Sequence, residues 1–290
     1  MMEGTLWCHR TCPAEACGTE LDPFLGSQIF LEFEVAFESI GRVCWLGRAL
    51  PSWLSLAYYN YKDLPKDLGC IHLEYFEEGR KVCFWFKGPG IGLLGTSKEA
   101  ELSLSVASFL KGTTVSVIIN GAMATVARTL KYKAESLPPV GPDMNRIKVT
   151  KDGFSDVADF LNVPLEGANQ NCSIPVERSD TTFLFLVGQD DGNWKSEFYA
   201  NEISKRLQAH GKEKPQIICY PESGHHIEPP YFPLCKASVH SLVGGPVIWG
   251  GEPRAHAMAQ VDAWQQLQTF FHKQLSGDKR PSPAKLIFFE

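Results

Sequence analysis

Short, almost wholly apolar runs that alternate with segments of helical period constrain this chain more than any other feature. The runs IGLLG (91–95), TTVSVIING (113–121), TTFLFLVG (181–188) and QIICY (216–220) are rich in aliphatic and β-branched residues. Turn residues bound them, so each reads as a buried strand. KEAELSLSVASFLKG (98–112) and WKSEFYANEISKRLQAHG (194–211) read as helices, each closed by a glycine, and HAMAQVDAWQQLQTFFHKQL (256–275) reads as a last helix. Strands that are apolar on both faces and separated by helices belong in a mostly parallel sheet with helices on both faces.

Around this frame the pattern is less regular. LSLAYYN (54–60) reads as a further strand, and DLPKDLGCIHLEYFEEG (63–79) as a helix interrupted at Gly69. Residues 122–180 carry Pro138, Pro139, Pro142, Pro164 and Pro175 and read as an irregular excursion, a lid above the sheet. Residues 1–20 read as a loose tail, residues 21–53 are apolar without a clean period, and the segment after Gly277 reads as a second tail.

Several classes of function fall away on composition. A formal net charge of −5 gives no basic footprint for nucleic acid. No apolar run reaches the length of a membrane span. The opening MMEGTLWCHRTCPAEACGTE lacks the apolar stretch of a secretory signal and the Arg-rich, acid-poor character of a mitochondrial leader. The closing AKLIFFE is no peroxisomal tripeptide, so the cytosol is expected. The nine cysteines, an odd number, read as reduced thiols. Cys8, Cys12 and Cys17 do not have the spacing of a closed four-ligand zinc site, and the adjacent His225 and His226 lack further ligands. Neither a metal nor a cofactor is expected.

In an open parallel sheet the carboxyl ends of the strands carry the chemistry. The run 91–95 leads into Thr96-Ser97, the run 181–188 into Gln189-Asp190-Asp191, and the run 216–220 into Pro221-Glu222-Ser223-Gly224-His225-His226. Each residue has a plain structural use: a serine before a helix is most often an N-cap, an aspartate after a strand can cap the next helix, and a loop histidine is usually a surface residue. Together, in the order Ser, Asp, His, they match a nucleophile elbow with its acid and base. His225 can take the proton of Ser97, Asp191 can fix the imidazole tautomer, and the backbone N–H of Lys98 can face an oxyanion. Asp190 and His226 are the neighbours ranked second.

The segments KGPGIGLLGTSKEAELSLSVASFLKG, FLFLVGQDDGNWKSEFYANE, KPQIICYPESGHHIEPPYFPL and IWGGEPRAHAMAQVDAWQQLQTFFHK resemble the type I acyl-CoA thioesterases. Those enzymes share a C-terminal hydrolase domain with bile acid-CoA:amino acid N-acyltransferase. The likeness runs from about residue 54 to about residue 275 and is poorest at 79–87. It implies an α/β-hydrolase fold over 54–275, a triad of Ser97, Asp191 and His225, and hydrolysis of fatty acyl-CoA to fatty acid and CoA. Two alternatives accompany it. One is an impaired or inactive remnant of the family. The other is an acyl-CoA:amino acid N-acyltransferase, which the resemblance disfavours because that relative uses cysteine as nucleophile.

Three departures from the family bear on activity. The β-sandwich with which the family begins has no counterpart in 1–53. Glu99 and Ala100 stand where the family has two glycines, so the glutamate is expected to bend the backbone away or swing into the site. Residues 21–53 match the family in no register, and codons can be chosen for them whose neighbouring frame spells family-like sequence. The expected organisation is therefore a non-family, frame-shifted or poorly ordered 1–53, a hydrolase domain over 54–275 and a tail over 276–290.

Overall fold

The computed structural model describes residues 33–37, 40–44, 70–73, 91–240 and 243–275. The elements in chain order are β1 (Phe33–Phe37), β2 (Ile40–Cys44), β3 (Cys70–His72), β4 (Ile91–Thr96), α1 (Lys98–Phe109), β5 (Thr113–Ile119), β6 (Thr129–Tyr132), β7 (Glu135–Leu137), β8 (Lys148–Val149), β9 (Ser155–Asp156), β10 (Thr182–Gly188), α2 (Ser196–Ala209), β11 (Gln216–Tyr220), β12 (Ala237–His240), β13 (Gly245–Ile248) and α3 (Pro253–Leu275). The expected strand at 54–60 and the tails at 1–20 and after 277 lie outside the described residues. β1 and β2 pair antiparallel, from Phe33 opposite Cys44 to Phe37 opposite Ile40.

The central sheet has the order β11-β10-β5-β4, and every pairing in it is parallel. Side chains alternate along its strands, as the period of two requires. In β10, Phe183, Phe185 and Val187 join one core while Leu184 and Leu186 join the other. In β5, Val115, Val117 and Ile119 face one way and Ile118 the other. The first core is closed by α1 and α2 through Leu104, Val106, Tyr199, Ile203 and Leu207. The second is closed by α3 through Ala263, Trp264, Leu267, Phe270 and Phe271. This is the α/β architecture that the alternation of runs requires, with all four strand ends pointing to one rim.

Two expectations need correction. Residues 70–72, expected within a helix, form β3, which pairs parallel with β6 from Cys70 opposite Thr129 to His72 opposite Lys131. The partner strand comes from beyond β5, and such a tertiary pairing overrides a local helical period. The excursion 122–180 is also more built than a lid. It carries β6 to β9, and Met123, Ala124, Val126, Leu130, Val140, Leu161, Ile174 and Val176 are buried in the α1–α2 core. Its β9 meets β13 in a second sheet of order β12-β13-β9-β8.

Candidate active site

The turn from β4 into α1 is crowded, and the crowding sets its shape. A Cβ added at Gly95 would overlap the carbonyl of Glu99, so only glycine lets α1 lie this close to its strand. Ala100 is fully buried, and a Cβ on Gly121 would meet its methyl at 2.8 Å, so Gly121 leaves the room that Ala100 fills. Ser97 takes the strain of the turn, with φ 56° and ψ −116°. A non-glycine residue in a sparse backbone region costs about 1–3 kcal/mol and persists only where its surroundings hold it. Here the Ser97 N–H donates to Ile119 O (2.9 Å), and its carbonyl accepts from Ala100 N–H (3.1 Å) and Glu101 N–H (3.3 Å).

Ser97 stands at the N-cap of α1 but makes no side-chain cap hydrogen bond. Its Oγ lies 2.8 Å from His225 Nε2 instead. On the other side of the ring, Nδ1 lies 2.9 Å from both Asp191 Oδ1 and Oδ2. Asp191 Oδ1 also accepts from Asn193 N–H (2.9 Å) and Trp194 N–H (3.1 Å), and Oδ2 accepts from Ser196 Oγ–H (2.6 Å). The aspartate thus organises the approach to α2, the use its position suggested, and also faces the imidazole. Ser97, Asp191 and His225 come together from three strand ends. Lys98, the residue after Ser97, begins α1, where backbone N–H groups have no helical acceptor.

The imidazole is fully buried and gripped on several sides. The rings of Trp249 and Trp194 stack on it at 5.5 Å and 6.3 Å between centroids, and the His226 ring meets it edge-on at 4.9 Å. The His225 N–H donates to Trp249 O (2.8 Å). Asn120 ties the loops together: its Nδ2 donates to His225 O (2.7 Å), and its Oδ1 accepts from Gly188 N–H (2.8 Å). His256, from α3, accepts at Nδ1 from Gly224 N–H (3.1 Å) and donates from Nε2 to His226 O (2.8 Å). Burial pushes its pKa down, which favours the neutral ring this bonding needs. Asp190, the second-ranked acid, instead accepts from Gly251 N–H at 2.6 Å.

Two carboxylates sit in the first turn of α1. Glu101 is fully buried and bonded to Lys98 Nζ at 2.6 Å, with its Oε2 accepting from Val126 N–H (3.2 Å). Burial pushes its pKa up to about 7 against the pull of the ammonium. Lys98 Nζ also donates to Val126 O (2.7 Å), so this ammonium closes an internal bracket and is no solvated cation at the mouth. Glu99 is half-buried, and burial raises its pKa too, against the pulls of its own N–H, Lys98 and His225. Its backbone is not bent away, since α1 runs as α-helix from Lys98. Among the described residues no group of three or more His, Cys, Asp or Glu side chains could hold a metal ion.

Sequence reading did not single out Asn120, Asn193, Trp194, Trp249 or His256 for the site. Asn120 had a signal in the Asn-Gly pair at the end of its strand run. Trp249 and His256 act through neighbours that only the fold supplies.

A parallel sheet carrying a serine elbow, an aspartate and a histidine at the carboxyl ends of three strands is the architecture of the α/β-hydrolases. The chain belongs to the BAAT / Acyl-CoA thioester hydrolase C terminal family, whose model matches residues 71–277. It is 68% identical over 236 residues to acyl-coenzyme A thioesterase 1 of Homo sapiens, covering 80% of this chain and 56% of that protein. It is 68% identical over 236 residues to the mitochondrial acyl-coenzyme A thioesterase 2 of Homo sapiens, covering 80% of this chain and 49% of that protein. Acyl-coenzyme A thioesterase 5 of Mus musculus is 69% identical over 236 residues, with 80% and 56% covered. The chain spans about half the length of the curated relatives it matches.

Proposed function

We propose that the chain hydrolyses fatty acyl-CoA thioesters through an acyl-serine intermediate. The observation that carries this reading is the His225 ring held between Ser97 Oγ and Asp191 in a member of this family. Ser97 Oγ attacks the thioester carbonyl carbon while its proton passes to His225 Nε2. The oxyanion faces the Lys98 N–H. As the carbonyl re-forms, the carbon–sulfur bond breaks, and CoA leaves as a thiol with the proton from Nε2. A water molecule then gives a proton to Nε2 and attacks the acyl-serine. Fatty acid departs, and the proton returns to Ser97 Oγ. Asp191 stays ionised throughout and stabilises the imidazolium of each step.

The domain reading, with the hydrolase unit over 54–275 flanked by 1–53 and 276–290, and a cytosolic location belong to the same proposal. Among the described residues no helix is long and apolar enough to cross a membrane. Subcellular fractionation of the expressed chain tests the location. Sequencing of the transcript upstream of codon 54 tests the frame-shifted origin of 21–53.

One observation favours a second reading, an impaired enzyme. Glu99 places a half-buried carboxyl in the turn that presents the nucleophile, and an anion there opposes a neighbouring oxyanion. Labelling of the folded chain with a fluorophosphonate probe, beside Ser97→Ala, separates the two. Labelling that is lost in Ser97→Ala, followed by hydrolysis of palmitoyl-CoA, supports the thioesterase. Reactivity that emerges only in Glu99→Gly with Ala100→Gly supports the impaired form.

A further inference from the structure

A fourth side chain reaches the reacting nitrogen. Asn193 is buried, and its Nδ2 lies 3.2 Å from His225 Nε2, the same atom that faces Ser97 Oγ at 2.8 Å. The roles of these groups follow from the far side of the ring. Both oxygens of Asp191 lie 2.9 Å from Nδ1, and an ionised carboxylate only accepts, so the ring proton sits on Nδ1. Nε2 then carries a lone pair. The Ser97 hydroxyl and the Asn193 amide N–H are both donors, and they share that lone pair in a three-centre arrangement. The carbonyl end of the amide would repel it, so the geometry admits one orientation of the carboxamide.

Asn193 is well placed to be held there. Its backbone N–H donates to Asp191 Oδ1 at 2.9 Å, so the aspartate that orients the ring also orients the turn that carries the amide. The next residue, Trp194, stacks parallel to the imidazole, with ring planes within 1°. One five-residue turn, Asp191 to Lys195, therefore touches the ring at Nδ1, on its face and at Nε2.

We propose that Asn193 is a further catalytic residue of this site: its side-chain amide donates to His225 Nε2 and holds the imidazole as the neutral base that can accept the Ser97 proton. The inference rests on the hydrolase reading above for its chemical use. When Ser97 Oγ–H breaks, its proton fills the Nε2 lone pair and the Asn193 contact is released. When Nε2 gives the proton to the leaving sulfur, the contact re-forms. The amide thus acts against premature protonation of the base and leaves the transfer from Ser97 reversible.

A donor on a lone pair stabilises the unprotonated form, so its removal makes the nitrogen more basic. The other titratable groups that face the ring are Asp191 from the β10–α2 turn, Glu99 from α1, His226 beside it and His240 from β12. None of these changes in the variants below.

The test is a pH titration of the His225 ring by nitrogen NMR in the full chain, with histidine labelled in the ring and assigned by His225→Gln. It needs no turnover, so it stands whether or not palmitoyl-CoA is hydrolysed, and a failed hydrolysis assay speaks only to the reading above. In folded Asn193→Ala the midpoint rises by about half to one pH unit, the weight of one lost hydrogen bond. The unprotonated Nε2 resonance moves downfield at the same time, as it does when a lone pair loses a donor. Asn193→Asp keeps the shape and turns the donor into an acceptor, so its midpoint rises further. An unchanged Nε2 resonance in Asn193→Ala, or an unchanged or lower midpoint, overturns the proposal. If the alanine variant does not fold, an unshifted midpoint in Asn193→Asp overturns it instead.

Discussion

The serine and the histidine are held by different physics. On the serine side the constraint is steric and local. Gly95 lets α1 ride against β4, Gly121 receives Ala100, and Ser97 is left in a backbone conformation its neighbours impose. On the histidine side close packing recurs, since a Cβ on Gly188 or Gly224 would meet neighbouring backbone at 2.5 Å, but His225 itself has no positive φ. Its ring is set by stacked tryptophans and two carboxylate oxygens, and its loop by Asn120, which donates to His225 O, and His256, which accepts from Gly224 N–H. In the hydrolase proposed above, a nucleophile needs one productive position, and close packing of backbone gives it. A base must carry a proton between partners, and a ring held by directional contacts can do so without moving its loop.

Three substitutions test that contrast. The largest effect is expected for Asp191→Asn, which keeps size but offers Nδ1 a donor in place of an acceptor. The tautomer reverses, and the fluorophosphonate labelling rate of Ser97 should fall by about 10⁴ with little change in thermal midpoint. A large loss of stability instead would mean that the histidine side is held by its acid alone. Next comes Glu101→Ala, on the serine side. It removes the partner of a part-buried ammonium and the acceptor of the Val126 N–H, and breaking a buried pair costs about 3 kcal/mol. Urea denaturation at neutral pH measures it, and a loss below about 1 kcal/mol would mean that packing alone fixes the elbow.

The smallest effect belongs to Glu99→Gln. Glu99 has its pKa raised by burial, so the folded state holds the proton more tightly than the unfolded chain. Well below the ordinary carboxyl range both states are protonated and the residue is neutral to stability. As pH rises above that range the unfolded chain ionises more readily, and the folded state loses ground. Glutamine removes this penalty. The variant should gain under about 1 kcal/mol at pH 8 and much less at pH 4, measured by thermal unfolding at both values.

The parts of the fold that were legible in the sequence are those whose burial repeats. β4, β5, β10 and β11 are apolar on both faces, and that pattern leaves few alternatives. The ends of α1, α2 and α3 fell within a few residues of the periodic segments. β3 sits in a segment with a helical period because Ile71 fits either period and its partner is 59 residues away, at Leu130. β12 and β13 have little signal of their own: ASVH and GPVI are four residues each, and Gly244-Gly245 marks the turn without marking the strands beside it. At the site, Ser97, Asp191 and His225 could be proposed together because each follows a strand run in a known order. Asn193, Trp249 and His256 have no such marker, and the Asn-Gly pair at Asn120 marks a turn without giving the asparagine a role. Their meaning lies in distances between loops, and a sequence carries no distances.

The span between Ser97 and His225 is 128 residues of chain. Contacts of that separation must overcome the entropy of closing a long loop, and they form after local ones. β4, α1 and β5 are contiguous and can order as a unit. The hydroxyl has no base until β10 and β11 have docked and the loop beyond them has settled against Trp249. On the proposed function, reactivity at Ser97 would come only once these distant parts have met. On that reading a partly folded chain can possess its helices and most of its core and still be chemically silent.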